Sequence, residues 1–130
     1  MDWITPQLAI GNYLDAENII NEVDAILCLK PECCDENNTE IDILALPFID
    51  GAGNDKRLIK EAVEYINDIV SDGERILVHC HAGRSRSVCI VARYLMIFEG
   101  LTRYQAVAKI QAKREIYLSP GIEEILDVRL

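Results

Sequence analysis

The stretch RILVHCHAGRSRSVCIVARYLMIF, residues 75 to 98, decides how this chain reads. It opens on RILVH, a short apolar run of strand length. A loop crowded with small, basic and nucleophilic side chains follows, VHCHAGRSRS at 78–87. The chain then enters VCIVARYLMIF, apolar on nearly every side, which predicts a central helix packed all round. A buried strand, a tight loop and a buried helix in this order fit an open α/β sheet, where ligands sit beyond the C-terminal ends of the strands. The loop also leads into a helix N-terminus, with unpaired backbone N–H groups and the positive end of the dipole, and so predicts an anion site. Ala82, Gly83 and Ser85 are small or flexible enough to let successive N–H groups turn inward as a cradle.

A cysteine at the base of such a cradle is expected as the thiolate, because the N–H donors, the helix end and a nearby arginine all favour the charged form. Cys80 holds that position. Arg86, six residues on, can bend back and grip two oxygens of a tetrahedral oxyanion. Ser87 can hydrogen-bond the sulfur and ease its departure. A thiolate beneath a bound phosphate is an arrangement for covalent phosphoryl transfer. The plainer readings are that Cys80 is a small core residue and that His79 is a structural hydrogen-bonding group rather than one that tunes the thiolate. Cys89, inside the apolar helix, reads as core.

Working outward, WITPQLAIGNYL predicts one or two short strands punctuated by Pro6 and Gly11. AENIIN is a short helix at best. VDAILCL and IDILALP are continuous apolar runs of strand length, the pattern of strands covered on both faces in a parallel sheet. Between 55 and 73, Leu58, Ile59, Ala62, Val63, Ile66, Ile69 and Val70 form one helical stripe that Gly73 ends. Thr102 and Gln105 stand in capping-box spacing before an amphipathic helix. Ser119 and Pro120 read as N-cap and first helical position of a last helix. The predicted fold class is α/β: a central, mostly parallel sheet of four or five strands flanked by helices, with the phosphate loop between a central strand and a buried helix.

With 130 residues, half of them apolar, the chain is read as one domain over 1–130. No run approaches the roughly 18 apolar residues of a membrane span. The start, MDWITPQLAI, lacks the order of a secretory signal, so a soluble cytoplasmic monomer is expected. A net charge of −9 argues against nucleic acid and general membrane adhesion. The charge is uneven: residues 1–74 hold 4 basic and 17 acidic side chains, residues 75–130 hold 9 and 5. A small anionic ligand held at one place on an acidic protein is implied. Five cysteines, two of them adjacent (Cys33, Cys34), show no metal-ligand spacing and are expected as free thiols in a reducing compartment.

Cys80, five residues, Arg86 and Ser87, with His79 before, resembles the signature of the cysteine-dependent protein tyrosine phosphatases. LAIGNYLDA, ILVHCHAGRSRS with ARYLM, and AKREIYLSPGIEEIL are similar, in order and spacing, to the small (atypical) dual-specificity phosphatases over nearly the whole chain. Rhodanese-type sulfurtransferases have a shorter loop, and low-molecular-weight tyrosine phosphatases carry theirs near the N-terminus. The resemblance implies a phosphomonoester hydrolase with a phosphocysteine intermediate and no metal or other cofactor. Cys80 is then the nucleophile, Arg86 the phosphate clamp, Ser87 the aid to thiolate departure and His79 its support, with His81, Ala82, Gly83, Arg84, Ser85 and Arg86 as the phosphate loop. The family's general acid is an aspartate on a loop after an apolar strand. LPFIDGAGND is that loop, with Asp50 where the acid is expected and Asp55 in reserve, the latter also explicable as a helix-start carboxylate.

The substrate stays open between phosphotyrosine and phosphoserine/threonine of proteins, since the chain has no room for segments that deepen the pocket. CHAGRSRS is also similar to the CKAGRSRS loop of phosphatidylglycerophosphate phosphatases, and inositol-lipid phosphatases use basic loop residues. His81 replaces that lysine while Arg84 is kept, so a phospholipid substrate is the alternative. A phosphate-binding module without catalysis is the alternative from another class. The resemblance further suggests Cys28 as a thiol that could form a disulfide with an oxidised Cys80, against its plainer reading as a core cysteine.

Overall fold

The protein is described by a computed structural model that covers residues 1–19, 21–33 and 41–130. Among the described residues, five short strands, β1 (Asp2–Thr5), β2 (Leu8–Gly11), β3 (Ala25–Cys28), β4 (Asp42–Ala45) and β5 (Ile76–His79), form one sheet in the order β1-β2-β5-β3-β4. Only β1 runs antiparallel to its neighbour; the β2–β5, β5–β3 and β3–β4 pairs are parallel. The last strand before the nucleophilic loop therefore lies in the middle of the sheet. Its register sets Gly11 and Cys28 on either side of His79, which brings the ends of three parallel strands together beneath Cys80.

The continuous apolar runs read correctly for the inner strands: every residue of β2, β3 and β5 is buried. β4, at the sheet edge, is only partly covered, since one neighbour is missing. On one face lie α2 (Lys56–Ser71) and α3 (Arg86–Phe98), with α4 (Arg103–Gln111) packed behind α3. Ile59, Ala62, Val63, Ile66 and Ile69 of α2 face the sheet, and Asp55 caps that helix by accepting from the Arg57 N–H at 2.9 Å. Helix α3 is buried without interruption from Ser87 to Ala92 and again at Tyr94 and Leu95. The other face holds a small cluster of Ala9, Ile19, Val23, Ile26 and Leu77, under α1 (Tyr13–Asn18).

Three local expectations change. α1 begins at Tyr13, ahead of AENIIN, because Asn12 and Asp15 form a reciprocal capping box, each accepting from the other's backbone N–H at 2.9 Å. Thr102 and Gln105 form the second such box, as read from their spacing. Ser119 and Pro120 do not start a helix. Gly121 follows at φ +88°, and a Cβ there would lie 2.8 Å from the Ala52 Cβ. A left-handed residue cannot continue a right-handed turn, so only a 3₁₀ turn over Ile122–Leu126 forms.

The third change is at Cys28. It is disulfide-bonded, whereas Cys80 and Cys89 are free thiols, so Cys28 is neither a free thiol nor joined to Cys80. The side chain of Cys33 and the whole of Cys34 lie outside the described residues.

Candidate active site

Cys80 leaves the end of β5 almost fully buried, 2% exposed, at the floor of a cavity of about 350 Å³. His81, Ala82, Arg84, Ser85 and Arg86 line the same cavity, with Asp50 across from them. The loop read from the sequence as a cradle is thus drawn around the thiol. Ser87, fully buried in the first turn of α3, brings its Oγ to 3.3 Å from the Cys80 Sγ. A hydroxyl there can donate to a thiolate.

Arg86 arches back toward the acid loop, its Nη1 donating to the Phe48 carbonyl at 3.3 Å. Its Nε is buried and has no partner among the described residues, a costly state unless an oxyanion accepts from it. The arginine is held by one nitrogen and leaves donors for a ligand.

Gly83 makes the turn possible. It sits at φ +70°, and a Cβ would lie 2.5 Å from the Gly11 carbonyl oxygen and 2.8 Å from Arg114 Nη2. Arg114 is itself fixed by donating to the Ile10 carbonyl at 2.8 Å and to Asp2 at 3.0 Å. The obstruction is therefore backbone on one side and a pinned guanidinium on the other. Gly83→Ala is expected to lower stability by about 1–3 kcal/mol and to open the cradle. Thermal denaturation together with phosphate-ion titration checks this; an unchanged midpoint and unchanged anion affinity would refute it.

His79 is buried, with Nδ1 3.1 Å from the Cys80 carbonyl oxygen. That contact places the proton on Nδ1 and fixes the peptide from which the loop starts. Burial pushes the imidazole below its ordinary value of 6.5, against smaller pulls upward from the Cys80 carbonyl and the Asp15 carboxylate. The unfolded chain then takes up a proton at a higher pH than the folded one does. Stability is complete above about pH 6.5 and falls as the pH drops through the lowered folded value. His79→Asn should remove this part of the acid-side decline. Urea midpoints measured between about pH 7 and pH 5 test it; wild-type and variant curves that stay parallel would contradict it.

The two candidate acids separate cleanly. Asp50 lines the cavity and accepts from the Ser85 hydroxyl at 2.6 Å, whereas Asp55 is engaged as the N-cap of α2. Cys89 is buried on α3, and its thiol is pushed up to about 12 by burial, then by Glu123, Asp50 and Cys80; it stays protonated and inert. The His81 ring stacks on Tyr13, centroids 4.7 Å apart and planes within 7°, which steadies the loop from α1.

Sequence reasoning missed Lys30, Tyr117 and Ser119, which also line the cavity. Lys30 follows the β3 strand run and could have been suspected from its place at the C-terminal end of a parallel strand. Nothing in the sequence marks Tyr117, whose N–H donates to the Arg84 carbonyl at 2.9 Å. Among the described residues no group of three His, Cys, Asp or Glu side chains is arranged to hold a metal ion. Nor is any helix there long and apolar enough to cross a membrane.

A thiol under a helix N-terminus at the end of a central parallel strand, with an arginine folded back over it, is the arrangement expected from the resemblance to the cysteine-dependent phosphatases. Residues 8–126 match the family model of the dual specificity phosphatase catalytic domain, and the chain belongs to that family. Dual specificity protein phosphatase 15 of Mus musculus is 30% identical over 98% of this chain and 56% of its own length. Dual specificity protein phosphatase 22 of Homo sapiens is 33% identical over 88% of this chain and 64% of its own. The first curated relatives are longer proteins, of which the chain spans 28%, 35% and 56%. Among solved structures, the crystal structure of DUSP15 is similar with a TM-score of 0.83 at 28% identity, covering 96% of this chain and 83% of that one. PTPMT1 shares the fold at a TM-score of 0.74 and 20% identity, over 96% of this chain and 90% of that one.

Proposed function

We propose that residues 1–130 form one catalytic domain that hydrolyses phosphomonoesters of proteins, on tyrosine and on serine or threonine, through a phosphocysteine. The observation that carries this reading is the convergence of Cys80, Arg86 and Asp50 on one cavity. Cys80 attacks phosphorus as the thiolate while Arg86 and the loop N–H groups hold the phosphoryl oxygens. The P–O ester bond breaks, and Asp50 gives its proton to the departing oxygen. Water then attacks the phosphocysteine, passing a proton to Asp50; the S–P bond breaks and its electrons return to sulfur, which the Ser87 hydroxyl stabilises. No step calls for a metal.

A lipid phosphatase is the second reading, and one observation favours it. Lys30, His81 and Arg84 join Arg86 around the cavity against the carboxylate of Asp50, in a chain of net charge −9. PTPMT1, which shares the fold, has been solved in complex with PI(5)P. The deciding experiment is phosphate release from matched phosphotyrosine and phosphothreonine peptides, phosphoinositides and phosphatidylglycerophosphate. Faster turnover of the peptides supports the first reading, and faster turnover of a lipid supports the second. Phosphate binding without turnover of any of them would leave a binding module.

A further inference from the structure

Ser85 stands at the N-cap of α3, yet its hydroxyl does not cap that helix. It donates instead to Asp50 Oδ1 at 2.6 Å and accepts from the Ser119 backbone N–H at 3.1 Å. Three segments meet on this one oxygen: the phosphate loop, the acid loop and the stretch before the last 3₁₀ turn. The acid loop is tied to that stretch elsewhere as well. The Gly53 N–H donates to Glu124 Oε1 at 2.5 Å, Gly121 packs on Ala52, and Asn54 bridges Ile49 and Gly51 from within the loop.

A serine hydroxyl has one proton to give. With one lone pair taken by the Ser119 N–H, that proton is turned toward Asp50, and Oδ1 is fixed as an acceptor. An oxygen that accepts this bond does not itself carry the carboxyl proton. We propose that the Ser85 hydroxyl is a positioning group for Asp50, holding Oδ1 so that the acidic proton resides on Oδ2, the oxygen left free for the substrate. Once that proton has gone to the leaving group, the same bond holds the carboxylate in place to take a proton from water. The charged and titratable groups that share the cavity with Asp50 are Lys30, Cys80, His81, Arg84, Arg86 and Tyr117. Removing a neutral hydroxyl leaves their charges unchanged, so what is lost is orientation.

This inference rests on the phosphatase reading, and its test separates the two. Wild type, Ser85→Ala, Asp50→Asn and the double variant are compared on phenyl phosphate, a poor leaving group, and p-nitrophenyl phosphate, a better one. Ser85→Ala is expected to slow phenyl phosphate by about 10–10²-fold, the scale of a misplaced reacting group, and the nitrophenyl ester much less. In the Asp50→Asn background it should cost nothing further on either ester. The ratio of the two rates does not depend on how much of a variant is folded, so poor folding cannot imitate this result. Equal losses on both esters, the same loss in both backgrounds, or no loss at all would overturn the role of Ser85 while leaving the phosphatase reading intact. A wild type that turns over neither ester and traps no phosphocysteine would overturn both.

Discussion

Cys80→Ser is expected to abolish hydrolysis of an aryl phosphate while phosphate and vanadate still bind. An alcohol at this position is a poor nucleophile without an adjacent base, and the Ser87 hydroxyl 3.3 Å away is no base. Losses on the order of 10⁴–10⁶-fold accompany removal of a nucleophile that acts as part of a unit. Binding persists because the anion is held by groups the substitution leaves alone: the backbone donors of 81–86 and the Arg86 guanidinium. Arg86→Lys is the complementary change. An ammonium can occupy the charge but cannot present two parallel donors, so a loss on the order of 10²–10³-fold is expected, the usual effect of removing a transition-state donor. Steady-state kinetics, anion titration and acid-quench trapping of the phosphoenzyme measure all three. Substantial turnover by Cys80→Ser would end the phosphocysteine mechanism.

How much of this was legible in the chain depends on how local the signal is. The strand, cradle and helix of 76–98 could be read because hydrophobic period, small residues and helix-end chemistry all act within a few residues. The same holds for the stripe of α2 and for the Thr102 capping box. The Asn12–Asp15 box is equally local, but it pairs Asn with Asp where the usual box pairs Ser or Thr with Glu or Gln, so its signal is weaker. Gly121 could not be placed from sequence, since its left-handed conformation answers to Ala52, about seventy residues away. Tyr117 and Ser119 reach the cavity only through loop packing. The disulfide at Cys28 escaped for another reason. Cysteine count and compartment are global arguments, and they do not say which individual thiol is paired.

Whether Asp50 or Asp55 is the acid was the choice that spacing left open, and the contrast in their surroundings yields a sharp expectation. Asp50→Asn should slow substrates with poor leaving groups by about 10²–10⁴-fold, the worth of a positioned proton donor. Esters with good leaving groups need little protonation and should lose much less. The basic limb of the pH–rate profile should flatten, because that limb reports loss of the acid's proton. Asp55 is occupied with the Arg57 N–H at the start of α2, where asparagine caps as well as aspartate does. Asp55→Asn should therefore leave both rate and profile near wild type, whereas Asp55→Ala should cost about 0.5–2 kcal/mol of stability through the lost cap. Chemical denaturation reads the second effect and pH–rate profiles on paired esters read the first. If Asp55→Asn flattens the basic limb and Asp50→Asn keeps it, the carboxylate beside Ser85 is structural. The acid would then have to come from the far end of the loop, by a movement that frees it from α2.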